Sequence, residues 1–401
     1  MSATRLAFFT PVPPAHTGVA AYVAGLLPLL PDDWEIELFT SGEATGELES
    51  RPIHRIEAWQ ERHAAVPFDL NVYQVGNNTQ HLATLPYVKR HPGLLVLHDA
   101  VLHPARAAAF LADDDIPGYR QVLMDSDPEL ANTVADVVAA GMGGSSLYWN
   151  FPLSEDLIRA SRHTVVHGEL LSRWVAAQVP GATIGSVPLW LPVPDCGPEQ
   201  VANWRTELGA TDDVPLLGTF GHLGAEHRVD LILETLGELV GEIPFRLVIV
   251  GTVDRALGLE AVVREGSLAA STTFTGRVSD EDFGALLRAV DLGLNLRYPT
   301  ARAASGPLAQ LLSVGTPVLV HDLVHQRDIP APALLRVPTG SRDEEKVALR
   351  DALAGWLGDE DQRLRAAAEA ERWGAAHITP EALRDGYVAA VEQALTHAAG
   401  A

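Results

Sequence analysis

The stretch at residues 292–322 reads LGLNLRYPTARAASGPLAQLLSVGTPVLVHD, and it predicts a strand, a turn, a helix and a second strand. The strands are LGLNLR and PVLVHD, and the turn contains Tyr298-Pro299-Thr300. We expect the helix to begin near Ser305 and Gly306, because serine is a favoured N-cap and Pro307 fits the first helical turn. A helix N-terminus presents unpaired N–H groups and partial positive charge. This stretch is therefore a candidate site for a phosphate or for the oxygens of a sugar.

Composition indicates a globular protein of two domains, since 401 residues exceed one ordinary core. The chain has 29 Lys+Arg and 52 Asp+Glu, giving a net charge of −23. Such an acidic chain is not expected to bind nucleic-acid polymers or anionic membranes, although a pocket can still hold a nucleotide. Lysine occurs only at Lys89 and Lys346, so we expect arginine to stand where other proteins use lysine.

The single cysteine, Cys196, excludes an internal disulfide. The chain opens directly into a strand pattern, without a basic leader, and contains no apolar run of membrane-spanning length. We therefore expect a soluble, cytoplasmic protein with no membrane span.

The first half alternates apolar strand patterns with helical ones, which predicts a parallel sheet with helical crossovers. The predicted strands cover residues 5–10, 35–40, 53–56, 70–76, 94–99, 164–168 and 182–189. Residues 104–162 interrupt this alternation of strands and helices and are predicted to form a helical insertion. An acidic triplet within it, residues 113–115, is either a metal site or a solvated joint between helices, and the joint is the better interpretation.

A proline-rich stretch at residues 191–200 marks the domain boundary, and a second α/β series follows. Its predicted strands cover residues 216–221, 246–251, 272–277, 292–297 and 317–322. We predict an α/β protein with two Rossmann-like domains facing each other across a cleft, at residues 1–190 and 191–379. A last helix within residues 380–401 is predicted to cross back to the first domain.

The sequence segments of this chain, in this order, resemble those of the family-4 glycosyltransferases of the GT-B fold. The resemblance covers nearly the whole chain and rests on PPAHTGVAAY, YQVGNN, LLVLHDAVLH and VVHGELLSRWV, then on GTFGHLGAEHRVDLILETL, RLVIVG, FTGRVSDEDFGALLRAVDLGLNLRYPT and SGPLAQLLSVGTPVLVHD. It implies retaining transfer of a sugar from a nucleoside diphosphate sugar to a small-molecule or glycan acceptor. The donor would bind the C-terminal domain and the acceptor the N-terminal one. No cofactor and no metal ion are implied, because cations and helix dipoles hold the diphosphate.

The resemblance also implies site residues. Gly18 matches the glycine that lets backbone approach the donor, or it is a simple turn glycine. His98 matches the histidine that points at the donor sugar, and a satisfied core histidine is the other interpretation. Asp99 either positions His98 or caps the next segment, and the two are the candidate catalytic residues. The candidate donor-binding residues are Gly18, Gly221, His222, His227, Arg228, Val278, Tyr298, Ser305, Gly306 and Pro307. Among these, Arg228 and His227 occupy a Lys-Arg pair that binds the diphosphate, with histidine in the lysine position.

Three carboxylates of the family pattern are missing. Close relatives read P-T-x-G-E-T-S-G, and Ala303 stands where that glutamate binds the donor sugar. Leu311 replaces a second glutamate, and Ala21 replaces an acidic residue after the N-terminal loop. Losing one polar contact that acts in the transition state costs roughly a hundredfold in rate.

Three interpretations stay open. The first is an active transferase with an unusual donor, such as a deoxysugar without the hydroxyls that the glutamate would hold. The second is a catalytically impaired relative that serves as a binding or assembly partner, for another protein or for a second copy of itself. The third is transfer of a nucleotide-linked group to a non-sugar acceptor on the same scaffold.

Overall fold

The computed structural model describes residues 4–15, 17–43, 45–143 and 145–397. Their contacts divide the chain into two compact units. Unit 1 comprises the described residues up to Leu191, together with Ala301–Ala304 and the described residues from Pro380 onward. Unit 2 comprises Pro192–Thr300 and Ser305–Thr379.

The described part of unit 1 contains an eight-stranded sheet in the order β3-β4-β2-β1-β5-β6-β7-β8, and every pair is parallel except β3 with β4. The strands are β1 (Thr4–Phe9), β2 (Trp34–Thr40), β3 (Gly46–Leu48), β4 (Arg51–Arg55), β5 (Leu70–Val75), β6 (Leu94–Leu97), β7 (His163–Val166) and β8 (Ile184–Ser186). The helices are α1 (Gly18–Leu26), α2 (Trp59–Ala65), α3 (Leu85–Arg90), α4 (His103–Ala112), α5 (Ile116–Ser126), α6 (Ala131–Ala139), α7 (Ser145–Asn150), α8 (Glu155–Ala160) and α9 (Glu169–Gln178).

The described part of unit 2 contains a six-stranded, all-parallel sheet in the order β11-β10-β9-β12-β13-β14. The strands are β9 (Leu216–Leu223), β10 (Arg246–Val253), β11 (Thr272–Gly276), β12 (Leu292–Asn295), β13 (Val318–His321) and β14 (Leu334–Val337). The helices are α10 (Pro198–Glu207), α11 (Val229–Leu239), α12 (Leu259–Glu265), α13 (Asp280–Ala289), α14 (Gly306–Ser313), α15 (Arg342–Gly358) and α16 (Glu360–His377).

The last helix, α17 (Pro380–His397), belongs to unit 1. Alternate residues of β1 divide between two apolar clusters, as the period of a strand requires. Leu6 and Phe8 pack with residues of α1 and α17, whereas Ala7 and Phe9 pack with residues of α2 and α9. The predicted return of the C-terminal helix to the first sheet is therefore confirmed.

The predicted alternation of strands and helices is present in both units, and the predicted fold class is confirmed. Two short strands were missed. β3 pairs antiparallel with β4 at the sheet edge, and β14 closes the second sheet beside β13. No helix in the described ranges is long and apolar enough to cross a membrane.

Candidate functional site

Two glycines leave the strand ends at the centre of the unit 2 sheet without side chains. Gly221 in β9 pairs with Gly251 in β10, and both have positive φ, +117° and +110°. A Cβ on Gly251 would lie 2.1 Å from the carbonyl oxygen of Gly221, so only glycine fits there. A Cβ on Gly221 would lie 3.7 Å from Cγ of Pro307. Bare backbone therefore faces the first turn of α14.

The N-terminus of α14 is capped and carries a cation. Ser305 is 3% exposed, and its Oγ accepts hydrogen bonds from Leu308 N at 3.4 Å and from Arg297 Nη2 at 3.3 Å. Pro307 has no N–H, so Gly306 supplies the outermost helical donor. The helix dipole and the Arg297 guanidinium both favour an anion at this point, and the Glu226 carboxylate lies near enough to Arg297 to offset part of its charge.

Arg228 is tied to a buried carboxylate. It precedes α11 in a left-handed conformation, with φ of 54°, and its Nη2 donates to Oε2 of Glu345. The Glu345 side chain is 1% exposed and the Arg228 side chain 20%. Arg228 therefore lies at the start of α11, and Glu345 compensates part of its charge; its predicted role in binding the diphosphate remains a prediction.

His227 supplies no charge. Its Nδ1 accepts a hydrogen bond from Gly224 N at 3.1 Å, and its side chain is 10% exposed. Burial is the main cause of the lowered pKa of His227, and the nearby charge of Arg297 adds to it. The ring is therefore neutral near pH 7, unlike the lysine that the family pattern has at this position.

Tyr298 connects the turn after β12 to the same region. Its N–H donates to the carbonyl of Glu226 at 2.8 Å, and its ring lies edge-on to His321 with 6.0 Å between centroids. His321 Nδ1 accepts from Arg297 N at 3.1 Å, and its Nε2 lies 4.0 Å from Oε1 of Glu345. These contacts form a continuous network among the candidate residues of unit 2.

Two candidate residues lie outside this network. His222 is exposed, and its Nδ1 lies 2.8 Å from Oγ1 of Thr252. Val278 is half-buried in the loop between β11 and α13. Their predicted roles in donor binding remain predictions.

Gly18 is the first residue of α1, after the N-cap Thr17, whose Oγ1 accepts from Ala20 N at 3.1 Å. Apart from its two chain neighbours and the backbone of its own helix, no described atom lies within 4 Å of a Cβ built on Gly18. Packing among the described residues therefore does not demand glycine here. Ala21, one of the three missing acids, is exposed on the same helix.

Both ring nitrogens of His98 have partners inside unit 1. Nε2 lies 2.8 Å from Oε1 of Gln74, and Nδ1 lies 3.0 Å from Nε2 of His167. Burial, followed by the neighbouring His167 and His81, holds the pKa of His98 well below its usual range. This geometry is that of a satisfied histidine in its resting state, and a catalytic role requires one of these bonds to open.

Asp99 meets the segment Ala301–Ala304 in unit 1. Asp99 and Ala303 form an isolated antiparallel bridge, and Val101 N donates to the carbonyl of Ala301 at 3.0 Å. Arg302, with φ of 50°, places its guanidinium 4.2 Å from the ring centroid of Trp174. The carboxylate of Asp99 accepts from Asn77 N at 2.6 Å. The position that lacks the family glutamate is thus held beside Asp99.

The acidic triplet is a joint between helices. Asp115 caps α5, and its Oδ1 accepts from Gly118 N at 2.9 Å. Asp113 follows the last residue of α4, and Asp114 adopts a φ of 54°. Among the described residues, no group of three or more potential ligands could hold a metal ion.

Sequence reasoning missed three charged residues of the unit 2 network. They are Glu226, whose Oε1 lies 3.2 Å from Nδ1 of His227, together with Arg297 and Glu345. The arginine-rich composition indicated that an arginine could replace the missing lysine, which is a signal that could have pointed to Arg297. Nothing in the sequence separates Glu345 from the other acids of the first turn of α15.

No family model and no curated protein matches this sequence. Solved structures do match. Sucrose-phosphate synthase from Thermosynechococcus elongatus has a TM-score of 0.70 at 15% identity, covering 99% of this chain and 100% of that one. HepE from Anabaena, solved with UDP-glucose, has a TM-score of 0.65 at 13% identity, covering 97% and 99%.

WaaG, a glycosyltransferase involved in lipopolysaccharide biosynthesis, has a TM-score of 0.63 at 16% identity, covering 96% of this chain and 98% of that one. At such identities a structural match shows the fold and not the activity. The two Rossmann-like sheets and the returning C-terminal helix agree with this likeness. This chain therefore has the GT-B fold and is similar over its full length to solved glycosyltransferases of that fold.

Proposed function

We propose that this chain is a retaining glycosyltransferase that moves a sugar from a nucleoside diphosphate sugar to a small-molecule or glycan acceptor. The observation that carries the proposal is the anion-binding geometry of unit 2. There the capped N-terminus of α14 carries Arg297 and faces the bare backbone of Gly221. Sugar transfer develops negative charge on the leaving diphosphate, and preorganised donors of this kind stabilise it.

In this proposal the positive charge comes from two arginines and the helix dipole, without a metal ion. Arg297 takes the place of the lysine that His227 replaces. Arg228 contributes less, because Glu345 already neutralises part of its charge. HepE, which shares the fold, was solved with UDP-glucose, and this supports a nucleoside diphosphate sugar as the ligand.

The missing carboxylates favour an unusual donor sugar. Without a carboxylate at Ala303, the site would lack the group that holds sugar hydroxyls in the family pattern. A deoxysugar does not present those hydroxyls and would lose nothing by the substitution. We therefore propose a deoxyhexosyl donor as the preferred substrate class.

The second candidate is a catalytically impaired relative that acts as a binding or assembly partner. Its support is the combined loss at Ala21, Ala303 and Leu311, together with the compensated charge of Arg228. The two candidates differ in one property. A transferase must bind a diphosphate, whereas a partner protein need not.

Calorimetric titration of the purified protein with UDP, GDP, ADP and TDP tests the proposal, with the four nucleosides as matched controls. Micromolar binding of one diphosphate, with no measurable binding of its nucleoside, is the expected result, because the site is built around the anion. The base identified in this way then sets the choice of nucleotide sugars for a transfer assay. Failure of all four diphosphates to bind would overturn the transferase proposal in favour of the partner protein.

A further inference from the structure

Four polar side chains form a chain of contacts across unit 1. Gln74 of β5 contacts Tyr387 of α17 through its amide nitrogen, with 2.6 Å to the hydroxyl, and His98 through its amide oxygen, with 2.8 Å to Nε2. His98 Nδ1 lies 3.0 Å from His167 Nε2, and His167 Nδ1 lies 3.3 Å from the carbonyl oxygen of Val187. These contacts thus join α17 to the ends of β5, β6 and β7.

Three of these groups are shielded from water, whereas His98 is half-buried. Gln74 and Tyr387 are 0% exposed, and His167 is 7% exposed. Tyr22 of α1 packs edge-on against both histidine rings, with centroid distances of 5.0 Å to His98 and 5.3 Å to His167. Burial lowers the pKa of His167 to about 4. Each imidazole therefore carries one proton, and the proton positions must suit all the contacts at once.

One orientation of the Gln74 amide fails this requirement. If its oxygen faces His98, then His98 Nε2 must donate, His98 Nδ1 must accept, and His167 Nε2 must donate. A neutral His167 then has no proton on Nδ1, so two acceptors, this nitrogen and the carbonyl of Val187, face each other. A charged His167 would resolve the conflict, but burial disfavours that charge.

The opposite orientation satisfies every contact. The Tyr387 hydroxyl donates to the amide oxygen, and the amide nitrogen donates to His98 Nε2. His98 Nδ1–H donates to His167 Nε2, and His167 Nδ1–H donates to the carbonyl of Val187. Rotating an amide by 180° exchanges its oxygen and nitrogen with almost no change in shape, so the same packing accommodates this arrangement.

We propose that Tyr387, Gln74, His98 and His167 form a neutral hydrogen-bond relay in which the Val187 carbonyl and His167 fix the proton of His98 on Nδ1. His167 and Gln74 are positioning residues in this relay. His98 consequently presents Nε2 as an acceptor, held by Gln74. Tyr387 makes the C-terminal helix part of the same relay.

The relay limits what His98 can bind, and this consequence rests on the proposed function. A ligand group that displaced the Gln74 amide from Nε2 would have to donate a proton. A sugar or acceptor hydroxyl meets this condition, whereas a phosphate oxygen does not. His98 would then accept a hydrogen bond from a hydroxyl, in place of the donation to the sugar that a catalytic histidine could supply.

Long-range proton–nitrogen NMR correlation of the full chain, with ¹⁵N-labelled histidine, tests the relay without any activity measurement. It reports which ring nitrogen carries the proton, and His98→Gln and His167→Gln variants assign the two signals by their loss. We expect both histidines to be neutral at pH 7 and protonated on Nδ1. Protonation of His98 on Nε2 would overturn the proposal. Because no ligand is involved, this outcome is independent of whether the chain transfers sugars.

Two further variants separate His167 from Gln74 as the group that sets the proton. In Gln74→Met, His98 should keep its proton on Nδ1, since His167 still accepts it. In His167→Phe, the proton should move to Nε2, because the Gln74 amide can then turn its oxygen toward His98. The reverse pattern would contradict the relay. His163, whose Nδ1 lies 3.2 Å from the carbonyl of Thr183, is the internal control and should keep its signal in both variants.

Discussion

Arg228 and Glu345 form an ion pair that joins the start of α11 to the first turn of α15. The carboxylate is 1% exposed, and its other oxygen accepts from Gly340 N at 3.2 Å. Such a pair has two consequences. Each partner keeps the other from being an unpaired, largely buried charge, and the arginine is less available to an anion.

We predict that the two partners differ in their effect on stability. Arg228→Met leaves a buried carboxylate without its cation and should cost about 3 kcal/mol, because breaking a buried pair exposes the desolvation penalty of the remaining ion. Glu345→Gln leaves Arg228, which is 20% exposed and can reach water, and should cost less. Calorimetric unfolding of the two variants measures the difference.

The double variant, Arg228→Met with Glu345→Gln, is the control for that pair. It removes both charges, so it should be more stable than Arg228→Met alone. Purely additive losses would contradict an energetic coupling between the two side chains.

We predict that Arg297 contributes more to nucleotide binding than Arg228. Arg297→Met removes the cation at the N-terminus of α14 and should weaken diphosphate binding about tenfold or more, as expected for a hydrogen bond to a charged group. Glu345→Gln should strengthen binding, since it leaves the charge of Arg228 uncompensated. Titration calorimetry with the nucleotide that the wild type binds gives both values.

Arg264→Met is the matched control for Arg297, because Arg264 is a unit 2 arginine with a side chain 72% exposed. The Arg264→Met variant should bind the nucleotide with the affinity of the wild type. If Arg297→Met bound the nucleotide as tightly as the wild type, Arg297 would not be part of the binding site.

The sequence predicted the sheets well, because their strands are apolar runs whose identity does not depend on distant partners. In β5, for example, all six residues are buried, as expected for a strand covered on both faces. The N-cap at Ser305 was predicted for the same reason, since capping is a local property.

The contacts that decide the chemistry were less accessible to sequence reasoning. Ala301–Ala304 joins unit 1 through Asp99 and Trp174, which are distant in sequence, and its residues have no strand pattern. From the sequence alone, His98 fits both a catalytic histidine and a satisfied histidine, and only its neighbours Gln74 and His167 show that both ring nitrogens have partners. Pairings of this kind depend on tertiary structure, and a single sequence does not encode them as a local pattern.

We predict that Ala303→Glu destabilises the protein near neutral pH. Ala303 lies opposite Asp99 in an antiparallel bridge, and like charges directly opposite each other repel, at a cost of roughly 0.2–1 kcal/mol. Ala303→Gln, with the same shape and no charge, is the control. The repulsion should raise the pKa of the introduced carboxyl group, so the deficit is present above that pKa and disappears as acidification protonates the group. Melting temperatures of both variants between pH 4 and 8 measure this convergence, and a constant difference would contradict it.

We predict that the histidines buried in unit 1 make the protein sensitive to acid. Burial lowers the pKa of His81, His103 and His167 to about 4 in each case. Since the unfolded chain takes up these protons near pH 6.5, each histidine reduces the free energy of unfolding by about 1.4 kcal/mol per pH unit as the pH falls from about 6.5 to 4. Above pH 6.5 these histidines are neutral in both the folded and the unfolded chain, so they no longer make the free energy of unfolding depend on pH.

Calorimetric melting at a series of pH values from 7.5 to 4.5 measures this slope. His103→Gln should make it shallower, because one of the buried titrating groups is removed. His377→Gln, at an exposed residue of α16, should leave it unchanged. Equal slopes in the wild type and in His103→Gln would contradict the assignment.

We predict that Gly18→Ala separates ligand approach from folding. Beyond its chain neighbours and its own helix backbone, no described atom lies within 4 Å of the added Cβ, and Gly18 begins a helix, where alanine is tolerated. Thermal stability should therefore equal or slightly exceed that of the wild type.

If backbone at Gly18 approaches a donor, the methyl group should weaken binding of the nucleotide sugar while leaving that of the free diphosphate less affected, because the predicted contact includes the sugar. Gly355→Ala, at an exposed glycine of α15 that also has room for a Cβ, is the control: it should match or slightly exceed the wild type in stability and bind both ligands as the wild type does. Unchanged affinity for both ligands in Gly18→Ala would leave Gly18 as a turn glycine, since a ligand in contact with its backbone could not ignore an added carbon.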